Sequence, residues 1–308
     1  MAKHILGIHI SDNRIICVEC KLGSGISANK IAKIDLRQGV VVNGTIADPT
    51  FLAESIVEML AKMEVLSAKT IVNIPVNLAE VKCIPTEKQY LSITPDQIEW
   101  EMRHHLNESP EEFSFSAFSL PGSTILTAVR KQVIDSYSQV LEKAGLLVEA
   151  IDPEQIALFN LVSVAVGSKP KDSLAVVDIE IPFSQVIYFE RGNFGCGGKL
   201  FTPPELFGLG EGKKTWREFG EDISATISMT LDAQKQLNPT AVPEKIVFCG
   251  RKIKEDIAAT IAGKVGLQLI QYNDLTKKRV KVKAHRHGLE PAELSIALGL
   301  AAHGIVRA

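Results

Sequence analysis

The sequence predicts a two-lobed α/β protein. A strand, a tight turn and two further strands open the chain, at Ile5 to Ile10, Ile15 to Cys20 and Ile26 to Leu36. The same order returns at Leu174 to Ile179, Gln185 to Glu190 and Phe194 to Phe201. Both sets lead into helical patterns alternating with strands, which implies two related mixed sheets covered by helices. With 308 residues, 45% of them apolar, the chain is long enough for two cores of ordinary size.

The strands are read from apolar runs bounded by turn residues. After the third, Asn43-Gly44 marks a turn, and Asp48-Pro49 opens a helix with Leu52, Ile56, Met59, Leu60 and Met63 on one face. Ile71 to Ile74 and Val81 to Ile84 are two further strands. Thr94-Pro95-Asp96-Gln97 combines a capping Thr with Pro at the first helical position and Gln at the third. Ile98, Met102 and Leu106 form the buried stripe of that helix. Phe113 to Leu120 and Thr124 to Arg130 make a hairpin around Pro121-Gly122. Val133, Tyr137, Val140, Leu141 and Ala144 define a helix ending at Gly145. A strand at Leu147 to Ile151 precedes a second expected capping box, Asp152-Pro153-Glu154-Gln155, and a helix to Val166. Gly167-Ser168-Lys169-Pro170 breaks the pattern. Beyond the second set of strands come a helix (Trp216 to Leu237), a strand (Ile246 to Phe248), a helix (Ile253 to Gly263), a strand (Leu267 to Ile270) and a closing helix from Ala292 to Gly304.

Composition excludes several classes. Lys and Arg number 34 against 36 Asp and Glu, so the basic excess of a nucleic-acid binder is missing. Cys17, Cys20, Cys83, Cys196 and Cys249 are odd in number and scattered, unlike a disulfide framework, and point inside the cell. Cys17 and Cys20 form a Cys-x-x-Cys within a strand, with no second pair or His cluster near, and are read as small core residues. His285 and His287 also lack further ligands in sequence, and no metal site is expected. The start, Met1-Ala2-Lys3-His4, has no signal-peptide core, and no apolar run approaches the ~20 residues of a bilayer span. The expectation is a cytoplasmic protein that meets a membrane only through a partner.

The order of elements resembles the actin/hexokinase superfamily, and within it the type IV pilus assembly protein PilM family, related to the division protein FtsA. Leu6-Gly7-Ile8-His9-Ile10 falls where the family opens with its first strand and phosphate turn. Gly39 to Asp48 resembles the stretch that announces the first helix. Ile98-Glu99-Trp100-Glu101 with Ser109-Pro110-Glu111-Glu112 resembles the helix and acidic turn of a small inserted subdomain. The most specific match runs from Ala128-Val129-Arg130-Lys131 through Ala144-Gly145-Leu146 to Asp152-Pro153-Glu154-Gln155-Ile156-Ala157-Leu158. Val176 to Ile179, Ile246 to Gly250 and Ala297 to Ala301 fit the second half. The resemblance implies an actin-like ATPase fold of two ribonuclease-H-like domains, 1–150 and 151–308, with the subdomain inserted at about 86–125.

ATP-binding members need three glycine-containing turns, because phosphates approach backbone N–H groups closely, and an Asp in the first strand to hold hydrated magnesium. Here His9 stands for the Asp and Ser11 for the glycine, followed by Asp12 and Asn13; Asp12 is expected to repel a phosphate. In the second turn Asp178 survives, but Glu180 replaces the glycine. The third keeps Gly250 and replaces the next glycine with Arg251, where adenosine would stack. Neutral imidazole is a poor magnesium ligand, and a carboxylate in a phosphate cradle costs electrostatic energy. The cleft therefore reads as degenerate, a pseudo-ATPase with no catalytic residues, although Arg251 and Lys252 are placed to neutralise an anion. The alternatives are an active Mg-ATP-dependent ATPase or kinase, or a chaperone-like reactivating factor on the same fold.

Three other segments invite attention. Gly208 to Thr215 looks like a phosphate loop but has Phe207 in the place of the first required glycine, Lys214 after Lys213, and a proline pair before it, so it reads as a surface loop. Lys277 to His287 is the densest basic run, read as a solvated loop or lysine-guarded edge strand, with contact to an anionic lipid or acidic partner as the alternative. His104 and His105 lie on the capped helix, and Trp100 and His104 share one of its faces at i, i+4, away from Met102. In the PilM family the groove between the first domain and the inserted subdomain receives a short N-terminal peptide of a bitopic inner-membrane protein, PilN. The resemblance therefore implies a PilN-like partner, with Trp100 and His104 as candidate contacts.

Overall fold

The computed structural model describes residues 4–65, 69–85, 94–104, 106, 108–120, 123–167, 173–209, 211–237 and 242–303. Alternating apolar side chains fold the chain's start into β1 (His4–Ser11), β2 (Arg14–Leu22) and β3 (Ile26–Asp35). A two-residue hairpin follows, β4 (Val41–Val42) and β5 (Thr45–Ile46), with Asn43 and Gly44 at positive φ in its turn. Asp48 caps α1 (Pro49–Lys62) by accepting the Phe51 N–H at 3.0 Å. Next come β6 (Lys69–Ile74), β7 (Ala79–Pro85) and α2 (Pro95–Arg103), whose expected Thr94/Gln97 capping box is present. β8 (Phe113–Leu120), β9 (Ser123–Arg130), α3 (Lys131–Lys143), β10 (Leu147–Pro153) and α4 (Glu154–Val166) complete the first half.

The second half holds β11 (Ser173–Ile179), β12 (Phe183–Glu190), β13 (Asn193–Phe201) and α5 (Trp216–Leu237). It continues with β14 (Lys245–Gly250), α6 (Glu255–Val265), β15 (Gln268–Ile270), α7 (Tyr272–Thr276), β16 (Val280–Val282) and α8 (Ser295–Ala301). Pro121-Gly122, His105, Ser168-Lys169-Pro170 and Gly304 lie outside the described residues.

Two large sheets share one topology. The first has the order β10-β6-β1-β2-β3-β16 and the second β13-β12-β11-β14-β15. In each, two antiparallel pairings open the sheet and two parallel pairings follow, so the repeat in the sequence is a repeat in space. A third sheet, β7-β9-β8, carries α2 on one side, with Ile98, Met102, Phe113, Leu126 and Ala128 as its core. This small unit spans Ala79 to Arg130, wider than the expected 86–125.

Two expectations need correction. Asp152 does not cap α4, which starts after Pro153 with no side-chain cap; its carboxylate contacts His303 Nδ1 at 2.5 Å. The basic run does form an edge strand, yet β16 pairs in parallel with β3 and so belongs to the first sheet. The two sheets thus do not partition strictly at residue 151.

The central layer explains the arrangement. Alternate residues of β1 serve two cores: Leu6, Ile8 and Ile10 pack with α1 and α3, while Ile5 faces the layer formed by α4 and α8. Outside the second sheet, Phe219, Ile223 and Ile227 of α5 pack with Ile261 and Ala262 of α6. Helix α8 lies close to its neighbours through two glycines. A Cβ on Gly7 would sit 2.0 Å from the Ala297 carbonyl oxygen, and one on Gly299 would sit 1.9 Å from that of Ala157. Backbone meets backbone at both points, so neither position has room for a methyl group.

Gly299→Ala should therefore destabilise the fold by about 1–3 kcal/mol or more in urea unfolding, through overpacking against fixed backbone. Gly263→Ala, on α6 with no atom within 4 Å of the added Cβ, is the control and should be neutral or stabilising by up to about 1 kcal/mol.

Candidate functional site

The three turns singled out in the sequence converge where the lobes meet. The β1–β2 turn brings Ser11, Asp12 and Asn13; the β11–β12 turn brings Glu180; and Gly250 and Arg251 end β14. Glu180 is the hub. Its Oε2 accepts from Arg14 Nη2 at 2.7 Å, and its Oε1 accepts from Arg251 Nε and from the Ile181 N–H at 3.0 Å. Arg14 also donates through Nη1 to Glu293 Oε1 at 2.5 Å, and Arg251 donates through Nη2 to Asn13 Oδ1 at 2.6 Å. Arg251 further lies 5.5 Å from the Phe207 ring. Arg14 and Glu180 are 2% and 4% exposed, so the pairing operates away from water.

Burial alone raises a carboxylate pKa, but Arg14 and then Arg251 outweigh it and hold Glu180 far below the usual range. Burial likewise works against the charge on Arg14, and Glu180 and Glu293 raise its pKa regardless. Asp178, on the adjoining strand, moves the other way. Burial, and next the charge on Glu180, push it up to about 6, even though Gln185 Nε2 donates to it at 3.1 Å.

The charge expected from Asp12 is spent elsewhere. Its carboxylate accepts the Asn43 and Gly44 N–H groups at 2.7 and 2.8 Å, which pins the β4–β5 turn beneath the first turn. Burial, the largest influence, raises its pKa despite these bonds. Arg251 is not free to meet an anion, since Glu180 and Asn13 engage it. Ser11 Oγ donates to the Arg14 carbonyl at 3.2 Å. His9 is buried, with Nε2 3.3 Å from Glu154 Oε1, in the place where a magnesium-holding carboxylate was expected.

These residues do not fit Mg-ATP. At the cleft floor Ser11, Asp12, Glu154, Glu180 and Pro182 leave about 10 Å³, room for one water molecule. Glu180 and its two arginines occupy the space between the three turns. Gly250 keeps the backbone approach that the fold requires: at φ +77, an added Cβ would be 2.3 Å from the Ile179 carbonyl oxygen. A cavity of about 300 Å³ lies against that turn, lined by Gly250, Arg251, Lys252 and Tyr272 among others. Among the described residues, no group of three or more His, Cys, Asp or Glu side chains is arranged to hold a metal ion.

A larger hollow of about 470 Å³ lies between the first lobe and the small subdomain. Ile46, Val133, Ser136 and Tyr137 line it on one side, and Leu106, Phe113 and Ala128 on the other. Arg130 and Glu108, paired with each other, stand at it as well. Trp100 and His104 share a face of α2 as expected, with rings in edge contact at 5.3 Å, and Trp100 is 61% exposed. Neither residue lines the groove. Two i, i+4 residues can be placed on one helix face from spacing, but which face meets the groove depends on how the helix docks.

No protein-family model matches the sequence, and no curated protein does. Solved structures do match. One chain of a PilM-PilN type IV pilus biogenesis complex superposes with a TM-score of 0.76 at 17% identity, covering 98% of each chain. A Bacteroides thetaiotaomicron protein of actin-like ATPase fold and unknown function gives 0.55 at 13% identity, covering 89% and 93%. This chain has the actin-like ATPase fold. The cytoplasmic domain of EpsL, an inner membrane component of the type II secretion system of Vibrio cholerae, gives 0.52 at 8% identity, over 98% and 95% of the two chains.

Within this actin-like fold, three cleft residues were not singled out from sequence. Arg14 opens β2 with nothing in its neighbours to mark it, Glu293 lies in an unremarkable Pro-Ala-Glu-Leu stretch, and Glu154 falls within an expected cap. Glu154 instead accepts from Asn73 Nδ2 and from the Val76 N–H, each at 2.9 Å. A buried Arg opposite a buried Glu is visible only once the lobes are assembled.

Between pH ~4 and ~6 the unfolded chain has ionised the Asp178 carboxyl and the folded chain has not, so its contribution to stability falls as pH rises through that window. Glu180 acts oppositely: its contribution is complete above the ordinary value of 4.5 and is lost as pH falls. The difference between wild type and Asp178→Asn isolates the first effect. Wild-type stability should fall relative to the variant by up to about 1.4 kcal/mol per pH unit between pH 4 and 6, then level off, in urea titrations at several pH values.

Proposed function

We propose that this chain is a PilM-like assembly scaffold that holds a PilN-like membrane partner by a short cytoplasmic peptide. The groove between α3 and β9 carries the reading. It is large enough for several side chains, apolar at its floor and flanked by charge at Arg130 and Glu108. The likeness of the fold to a chain of the PilM-PilN complex supports the class of partner. Among the described residues no helix is long and apolar enough to cross a membrane, which suits a protein that reaches the bilayer through another. The likeness to the EpsL cytoplasmic domain supports the same kind of role beneath an inner-membrane platform.

The test is titration of the chain with the N-terminal cytoplasmic segment of a PilN-like protein from the same organism. Ser136→Arg fills the groove from the half-buried face of α3 and should weaken binding at least tenfold. Trp100→Ala, outside the groove, should change affinity less than twofold. No binding by the wild type, or equal binding by Ser136→Arg, overturns the reading.

We also infer that the chain is a pseudo-ATPase. The Glu180 cluster supports this, because a phosphate entering the cleft would have to displace two buried ion pairs. Millimolar Mg-ATP should leave the thermal midpoint unchanged. A ligand at 100 times its Kd stabilises by about 2.7 kcal/mol, which no midpoint measurement would miss. A magnesium-dependent rise would instead support the ATPase alternative.

A further inference from the structure

The basic run absorbed by neither cleft nor groove folds into a single patch. Strand β16 is held against β3 by the Ile26 N–H donating to the Arg279 carbonyl at 2.8 Å and the Lys283 N–H donating to that of Ala28 at 3.0 Å. Gly25 permits this approach, since a Cβ there would lie 2.2 Å from the Arg279 carbonyl oxygen. Arg279 is itself anchored, donating through Nη1 to the Ser24 carbonyl at 2.9 Å. The cations are therefore fixed in position by backbone, unlike those of a loose tail.

Register then lines them up. Lys21 of β2 and Lys281 of β16 are both Cα partners of Ser27 on β3, so the two lysines flank one serine on the same face of the sheet. Lys283 follows two residues on, and Lys278 precedes the strand. Together Lys21, Lys278, Arg279, Lys281 and Lys283 line a shallow hollow of about 560 Å³, floored by Gly23, Ser24 and Gly25, with no Asp or Glu among the described residues of its walls. Lys277, next in sequence, is paired with Asp274, whereas among the described residues Lys21, Lys278, Lys281 and Lys283 make no ion pair. In a chain of net charge −2 this is a local field of one sign. It stands at the β2–β3 turn end of the first sheet, opposite the β1–β2 turn that faces the cleft.

We propose that this patch docks the protein directly on an anionic phospholipid surface. The chemistry favours headgroups over other polyanions. Among the described residues the walls hold no aromatic ring for a nucleobase to stack on, and Leu22 and Ile26 are their only large apolar residues, so a peptide finds no anchoring pocket. Charge alone suffices for headgroups, with each Lys near such a surface contributing about fivefold in partitioning. The patch shares no lining residue with the groove, so the two can act together, and neither depends on the other.

The experiment is flotation of the full chain with vesicles of phosphatidylcholine containing 30 mol% phosphatidylglycerol, against phosphatidylcholine alone, at about 0.1 M salt. Binding is expected only to the anionic vesicles. Lys281→Gln with Lys283→Gln should reduce it about 25-fold, and Lys21→Gln, on a separate strand, about fivefold, with thermal midpoints unchanged. Ser136→Arg should bind vesicles like wild type, which separates failure here from failure of the groove. Equal binding by the lysine variants, or none by the wild type, overturns the proposal. Tighter binding of a 20-base-pair DNA duplex or of poly-glutamate than of vesicles at matched charge, or saturable uptake of inorganic phosphate, also overturns it.

Discussion

The whole architecture depends on one carboxylate. Glu180 sits between Arg14 and Arg251, and through them reaches Asn13 and Glu293. One side chain thus joins the first turn of one lobe, the second and third turns of the other, and the segment leading into α8. Inside a protein such contacts are strong when complete and costly when broken, because an orphaned charge has no water to turn to. Glu180 fills the space between the three turns and ties the two lobes together.

At the cleft floor only about 10 Å³ is left, and the larger spaces lie beside the third turn, beside α3 and at β16. The groove beside α3 mixes apolar residues with Glu80 and the Arg130–Glu108 pair, and the hollow at β16 is lined mainly by cations and small residues with Leu22 and Ile26 beside them. Neither surface involves the turns that the sequence motifs mark.

Local signals were legible and distant ones were not. Thr94, Asp48, Gly145 and the alternation in β1 to β3 announce their elements because caps and periodicity act within a few residues. The degenerate turns were legible too, since glycine's role in a phosphate turn is local. The partner of each substituted residue was not. Asp12 looks like a charge aimed at a ligand until Asn43 and Gly44 arrive, and Arg251 looks like an anion trap until Glu180 takes it. Trp100 and His104 share a helix face, as their spacing implies, but neither is in the lining of the groove. The basic run reads from sequence as a solvated loop or an edge strand, and neither that choice nor the sheet it joins follows from its own residues.

The membership of β16 in the first sheet also has a consequence for birth on the ribosome. β3 forms early, yet its outer edge receives its partner only when residues 280–282 emerge. At ordinary rates of synthesis that edge stands uncovered for roughly 10–50 seconds, a long exposure for a row of unpaired backbone groups. β3 carries Lys30 and Lys33 along its length, and charges of this kind discourage a second nascent chain from adding a strand there. The lysines of β3 guard the edge while it is bare, and those of β16 take over the same duty once it has docked.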